Sequence, residues 1–463
     1  MIFTRLPGHA LAAVLGAAWL SACSLDVPDL NNPGIDTLQV HPDAVSIGAA
    51  CTGLLIGNRS QIANEFGYVD ELGIVGRESY NFDAADPRFV NELLAGPLSQ
   101  ASPLGGNFWQ VPYANIRLAN VILDALDKVP AGDLDDSGKA GVRGFVHTMI
   151  ALELLQVIVT RDTIGAVIDT DRDLSQPLGQ IVSKDMVYAR IASLLDSALP
   201  DLDAAGKAFP FLLSSGYAGF DTPAAFRKFN RALRARAAAY TKDYAAVNDA
   251  LSLSFLDDSA KADFTVGVYY TYSTKTGDTT NGLINPNIYV HPSVQADAQK
   301  KADGKTLDDR YTNKVTTTDN PGSVTGTPLA SSLVFTPLYG SPSARVGLIR
   351  NEELILLKAE QLFFTGDTAK AIDELNIVRT RSGGLEPLSP TTDPTTFTSE
   401  LLYERRYSLL FEWGHRWIDV RRFDRATDLP LDDPTYVRNM RFPIPLQECN
   451  ARPNEPACKL GSL

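Results

Sequence analysis

Residues 404–425, ERRYSLLFEWGHRWIDVRRFDR, hold the densest set of groups able to do chemistry, with six arginines, four carboxylates, one histidine, two tryptophans and two phenylalanines in 22 positions. A charge run of this kind is ordinarily a solvated helix face. Here Leu409, Phe411, Trp413, Trp417, Ile418, Val420 and Phe423 leave few polar turns for water, so part of the charge must be buried. Buried charges persist when paired and hydrogen-bonded. The expectation is therefore a structural ion-pair lattice made by Glu404, Arg405, Glu412, Arg416, Asp419 and Arg421, with Asp424 in reach, pairing at helical spacings and doing no catalysis.

Other chemistry is sparse. The chain contains no GxSxG, HExxH, Walker loop or strand-borne GxGxxG. Asp169, Asp171 and Asp173 alternate like the start of a calcium loop, but Leu174 stands at the glycine position and Gln180 at the bidentate acid. No cofactor and no metal site is expected. Aromatic residues in the loop stretches or at their border are the remaining ligand candidates: Tyr80, Phe82, Trp109 and Tyr269. The tyrosines near residue 270 either stack on sugar rings or fill a small satellite core.

The formal net charge of −13 opposes attraction to nucleic-acid phosphates, and no basic tail offsets it. At the N-terminus Arg5 precedes the apolar run ALAAVLGAAWL, which is too short to span a bilayer, and Leu20-Ser21-Ala22-Cys23 follows it. That tetrapeptide resembles a bacterial lipobox. Residues 1–22 are expected to be a lipoprotein signal peptide, Cys23 the lipidated residue, and residues 23–40 a tether. Export implies an oxidising compartment, and Cys449 and Cys458, bracketing NARPNEPA, are the candidate disulfide. Cys51 reads as a buried small hydrophobe.

The elements that must position these residues are mostly helices. Apolar residues recur at three- and four-residue spacing over residues 41–58, 109–129, 142–159, 185–199 and 226–240, with a further segment over 244–255. Pro130 and Pro200 are expected to close two of these. Residues 65–107 read as a long loop. Residues 350–383 give the clearest helical hairpin, turning at Gly366-Asp367, and Ser399 is the expected N-cap of the segment that leads into residues 404–425. The expected architecture is mainly α. Residues 41–463 form one domain: a helical scaffold over 41–260 and 345–425, a loop-rich insertion over 261–344 on the ligand side, and an extended tail over 426–463.

Four features in order resemble the SusD/RagB outer-membrane lipoproteins: the lipobox at Cys23, the hairpin with Arg350, Glu353, Glu360, Asn376, Arg379 and Arg381, the EWGHRW segment from Glu412 to Trp417, and the FPIP segment from Phe442 to Pro445. Ser408 departs from the family pattern, as does the cysteine-bearing tail. The resemblance implies tetratricopeptide-like helical hairpins forming a right-handed α-superhelical scaffold. It also implies a binding protein and not an enzyme: a surface-exposed lipoprotein of the outer membrane that captures glycans or peptides for a TonB-dependent, SusC-like transporter. A structural helical-repeat lipoprotein scaffolding envelope proteins is the alternative.

Overall fold

The computed structural model describes residues 35–172 and 175–463. The signal segment and Cys23 lie outside the described residues. The chain is mainly α-helical. Residues 35–40, the end of the expected tether, form a short helix, α1 (Ile35–Val40). Next comes α2 (Ala44–Ser60), begun by a reciprocal cap in which the Ser46 amide donates to Asp43 Oδ1 at 2.7 Å and the Asp43 amide to Ser46 Oγ at 3.0 Å.

The expected loop at 65–107 contains α3 (Tyr68–Val75), β1 (Ser79–Asn81) and α4 (Arg88–Val90), the last continued by a π-turn. Every residue of α3 is buried, including Asp70 and Glu71. With no solvent face there is no apolar stripe, and the two acids break the run, which hid the helix from periodicity.

The scaffold proper is α5 (Asn107–Leu126), α6 (Asp136–Arg161), the short strands β2 (Ala166–Val167) and β3 (Ile181–Val182), then α7 (Lys184–Ala204), α8 (Pro223–Tyr240) and α9 (Tyr244–Ser252). Each of these helices packs on the next. Although α6 is long and apolar enough to cross a membrane, 89% of its most apolar window is buried inside the fold, which makes it the central core helix. Pro200 does not end α7, in contrast to the sequence expectation. Leu202, two residues on, is buried where α6 has Gly144, whose missing side chain leaves room for it: a Cβ there would stand 2.7 Å from Leu202 Cγ. Packing carries the helix past the one backbone bond that proline removes.

The insertion holds β4 (Gly267–Tyr270), β5 (Ile288–Val290), α10 (Ser293–Ala296), α11 (Asp309–Thr312), β6 (Thr316–Ser323), β7 (Ala330–Val334) and α12 (Thr336–Tyr339), and β8 (Val346–Arg350) follows it. Antiparallel pairing of β4 with β8 brings the beginning and end of the insertion together, with Gly267 opposite Arg350. The β1–β5 pair joins it to the N-terminal region.

The helices resume with α13 (Asn351–Phe364) and α14 (Thr368–Ser382), joined at Gly366 with φ 100°. Then come α15 (Pro394–Ser408) and α16 (His415–Arg422). Asp393, not Ser399, caps α15: its Oδ2 accepts from the Thr396 amide at 2.8 Å, with Pro394 in the first turn. A second apolar core lies among α13, α14 and α15, where Phe363 and Phe397 stack with centroids 3.8 Å apart. The expected extended tail contains α17 (Leu446–Asn450) and two 3-10 turns, Ala426–Asp428 and Pro456–Lys459, and Cys449 is disulfide-bonded to Cys458. The tail returns to the N-terminal half: the Phe442 amide donates to Thr160 O at 2.8 Å, and the Asn439 side chain donates to the carbonyls of Glu92, Leu93 and Gly96.

Two kinds of buried charge run through this fold. The first is paired. Arg236 of α8, with no exposed surface, donates to both oxygens of Glu353 at 2.8 and 2.6 Å. Arg422 spans Asp419 at 2.8 Å and both oxygens of Glu360 at 2.6 and 2.7 Å, and Arg405 donates to Asp419 at 2.6 Å. Arg350 grips Glu412 at 2.8 and 3.1 Å, while Glu404 receives Arg379 at 2.9 Å and also Arg310 of the insertion. The lattice thus ties α8, α13, α14, α15, α16 and α11 together.

Asp419 and Arg422 pair three residues apart, as the helical spacing implies, but most other partners differ from that expectation. Glu404 and Glu412 pair with arginines from distant elements. Arg416 makes no ion pair within 4 Å among the described residues and donates to Asp428 O at 3.1 Å. Arg421 likewise makes no ion pair among the described residues; it stacks on the Trp417 ring at 3.7 Å and donates to the carbonyls of Trp417 at 3.3 Å, Met440 at 2.9 Å and Val159 at 2.5 Å. It caps the C-terminal end of α6, where carbonyls lack helical partners. Asp424 makes no ion pair among the described residues.

The second kind is unpaired acid. Asp70, Glu71, Glu78 and Glu153 are all buried, and each retains a carboxyl oxygen without a hydrogen-bond partner. Glu153 receives Asn58 at 2.8 Å and Asn115 at 2.7 Å, yet burial outweighs these bonds and pushes its pKa up to about 8.

Two outcomes are expected. Asp419→Ala strands the buried Arg405 guanidinium, while Arg422 keeps Glu360, and should cost about 3–5 kcal/mol in denaturant unfolding, whereas Arg416→Ala, with no ion pair to break, should cost clearly less. For Glu153 the folded pKa exceeds the unfolded one, so the folded state binds more protons between them. Stability should fall as pH rises from about 4.5 to about 8, on the order of a few kcal/mol from this group. Glu153→Gln should flatten that slope in melts recorded across the window.

Candidate functional site

The four aromatic candidates go to three places. Tyr80 and Phe82 come together on and just after β1. Tyr80 lies opposite Tyr289 of β5 in register, and the rings form a ladder: Tyr80 to Phe82 at 5.0 Å, Phe82 to Tyr289 at 5.4 Å, and Tyr80 to His291 at 4.8 Å. Tyr80 is buried, and its hydroxyl donates to Asp432 Oδ1 at 2.6 Å, which also meets His291 Nε2 at 3.1 Å. Burial raises the Tyr80 phenol well above its ordinary range and lowers the His291 imidazole. Phe82 and Tyr289 are half-buried, and β6 crosses them at Gly322, where a Cβ would stand 2.4 Å from Tyr289 and 2.7 Å from Phe82. The ladder therefore seats the insertion's β6–β7 hairpin.

Tyr269 lines a second place, a cleft of about 370 Å³ together with Leu55, Ile56, Leu212 and Tyr217. Several of its polar groups are already engaged. Arg345 stacks on the Tyr269 ring at 3.7 Å, the Asn58 amide is bound to Glu153, and Arg59 donates to Thr271 O and Asp278, both at 2.6 Å. The cleft is apolar, with Leu212 87% exposed at its edge.

Trp109 lines the third, a cleft of about 420 Å³. Its floor is one face of α5, on which Trp109, Tyr113 and Arg117 recur every four residues. Trp109 exposes 3% of its surface and is braced by Tyr113 at 4.8 Å and by the Arg161 guanidinium at 5.7 Å. The Tyr113 hydroxyl accepts from the Val167 amide at 2.7 Å and donates to Val167 O at 2.9 Å, which fixes the rim at β2. Asp169 pairs with Arg172 on that rim, and Arg117 donates to Arg172 O at 3.1 Å. The opposite wall is the tail, where Arg452 Nε donates to Glu448 Oε1 at 2.6 Å. Polar side chains of both signs thus converge on a half-open cavity with aromatic rings in its floor. A ligand cleft of ordinary size has this composition.

Trp109 was legible from type and position. Its neighbours were not singled out, although the spacing of Trp109, Tyr113 and Arg117 is visible in the sequence. Glu448 and Arg452 carry no such signal, because only the return of the tail brings them to α5. Asp169, read first as one acid of an incomplete calcium loop, serves instead as the partner of Arg172.

His415, inside the motif segment, is buried between like charges. Its Nδ1 lies 3.5 Å from Arg405, and burial first, then Arg236 and Arg405, hold its pKa well below the usual value. A neutral imidazole packed in the lattice fits a structural role. Gly414 before it has φ 71°, and a Cβ there would stand 2.5 Å from Leu72, so this turn requires glycine.

The sequence from the insertion through the tail matches the profile described as the SusD family over residues 263–450. Residues 263–450 belong to the SusD family. The solved structures extend the likeness to the fold of the whole chain. A SusD superfamily protein from Bacteroides vulgatus superposes with a TM-score of 0.68 at 16% identity, covering 91% of this chain and 99% of that one. A SusD-like carbohydrate binding protein from Bacteroides fragilis gives 0.69 at 16% identity, covering 90% and 100%. A laminarin binding SusD-like protein gives 0.63 at 18% identity, covering 89% and 98%. A search of curated proteins returned no match. The SusD motif residues Glu404, Glu412 and Asp419 all sit in the ion lattice, away from α5 and the Trp109 cleft.

Gly322→Ala should force β6 off the Tyr289 and Phe82 rings. A loss of about 1–3 kcal/mol in unfolding free energy is expected, as for other overpacked contacts, together with increased amide exchange across residues 316–334.

Proposed function

We propose that this protein is a glycan-binding lipoprotein of the bacterial outer membrane. It is held by lipid at Cys23, faces outward, and delivers its ligand to a TonB-dependent, SusC-like transporter. The SusD-family sequence over residues 263–450 and the SusD fold support the class. The observation that carries the binding site is the Trp109 cleft, where aromatic floor and convergent polar walls meet in one cavity.

A saccharide presents apolar C–H faces and a ring of hydroxyls. The edge of Trp109 and the Tyr113 ring would meet the first, and Gln110, Arg117, Asp169 and Glu448 the second. Because these groups are braced before a ligand arrives, little ordering cost is charged to binding. No proton or group transfer is required of any of them. The protein acts by capture and release.

The test is calorimetric titration of the full chain, purified in detergent, with laminarin, mixed-linkage glucan, yeast mannan and maltoheptaose. At least one should bind, and Trp109→Ala should weaken it tenfold or more while Tyr269→Ala leaves it unchanged. Binding of a peptide library with no glycan binding would reassign the ligand class. A glycan whose affinity depends on Tyr269 and not on Trp109 would refute the site.

A further inference from the structure

One wall of the Trp109 cleft is unlike the rest of the fold. The helix α17 contains no fully buried residue, and only Cys449 of it packs against the apolar core. The segment after it, NARPNEPA, offers only alanines and prolines to an interior, and Ala457 alone of these is fully buried. Yet this stretch places Glu448 and Arg452 on the cleft directly across from α5.

What fixes it is covalent and polar. The Cys449–Cys458 bond closes the segment into a short loop whose two sulfurs rest against the main core. The Gln100 side chain donates to Cys458 O, Gln110 of α5 donates to Gln447 Oε1 at 2.9 Å, and Arg452 Nη1 reaches Gly179 O on the far rim. A cross-link removes alternative conformations from a segment that otherwise has little to order it.

The loop's side chains suit a sugar. Arg452 spends Nε on Glu448 and Nη1 on Gly179 O, which leaves Nη2 without a partner among the described residues. Its side chain is 10% exposed and lines the cavity, while Glu448, at 26%, is the more open of the two. A guanidinium donor beside a carboxylate acceptor, held 2.6 Å apart, matches two neighbouring hydroxyls, one accepting and one donating.

We propose that the Cys449–Cys458 loop is a ligand-contact element, which presents Arg452 and Glu448 to vicinal hydroxyls of a saccharide in the Trp109 cleft. This assignment rests on the glycan-binding reading above. It makes Arg452 and Glu448 specificity residues and the disulfide the device that positions them. Saccharides lacking that hydroxyl pair should bind through the α5 floor alone and gain little from the loop.

The experiment compares the full chain with Arg452→Ala, Arg452→Lys and the double variant Cys449→Ser/Cys458→Ser, titrated with laminarin, mixed-linkage glucan, yeast mannan and maltoheptaose. For the saccharide that binds, Arg452→Ala should lower affinity about tenfold and Arg452→Lys less, because lysine keeps the charge and loses the fork. The double serine variant should lower affinity by a similar factor with its melting transition retained, and should raise amide exchange over residues 446–460. If the double variant fails to fold, Arg452→Ala alone decides the question. Wild-type affinity in both, with Trp109→Ala still abolishing binding, overturns the loop's role and leaves the glycan reading standing. Affinity indifferent to Trp109, or no binding by any of the four saccharides, overturns both.

Discussion

The constraint on which the rest of this structure depends is the pairing of buried guanidinium groups with carboxylates from other helices. An arginine in the interior must have its donors met, by carbonyls as at Arg77 or by a carboxylate, and each carboxylate pair also fixes the distance and rotation between two elements. Arg236 with Glu353 sets α8 against α13, Arg422 with Glu360 sets α16 against α13, and Glu404 between Arg310 and Arg379 sets the insertion and α14 against α15. Replacing such pairs with apolar residues need not weaken a fold. What the pairs supply is definition, because a slip of one helical turn would leave several charges unmatched at once.

With the scaffold fixed at its C-terminal end, the tail has one path. Arg421 takes the Val159 carbonyl in the last turn of α6, Trp417 donates to Asn439 O at 2.8 Å, and Asn439 takes the carbonyls around the π-turn after α4. The chain is led back across the N-terminal helices and delivers its disulfide loop to α5. The proposed site is thus assembled from the first helical hairpin and the last residues of the chain, and the segment that identifies the family contributes to it only by routing the tail. The N-terminal half stores charge differently. Asp70, Glu71, Glu78 and Glu153 are buried without an ion pair, and burial raises the pKa of each.

How much of this the sequence disclosed follows from what each feature depends on. The hairpin α13/α14 was legible because its apolar residues recur at helical spacing on either side of Gly366 and α14 keeps an exposed face, although α13 is mostly buried. The helix α3 was invisible because it is buried on all sides and carries two acids inside. Pro200 was misread because helix propensity is local, whereas the contact of Leu202 with Gly144 that overrides it is not. Burial of charge in residues 404–425 could be anticipated from the missing polar turns, but partners 62 to 94 residues away, such as Arg350 and Arg310, could not. For the site, Trp109 stood out by type. The wall opposite it depends on the tail's route, which no local pattern encodes.

The central claim is that ligand binds between α5 and the disulfide loop, and not on the motif, the Tyr289 ladder or the Tyr269 cleft. A crystal structure of the protein with its bound saccharide tests this most directly. The account predicts sugar density within hydrogen-bonding distance of Arg452 and Glu448 and in contact with Trp109 or Tyr113. Density over Tyr269 and Leu212, or displacing the β6–β7 hairpin from Tyr289 and Phe82, would contradict it.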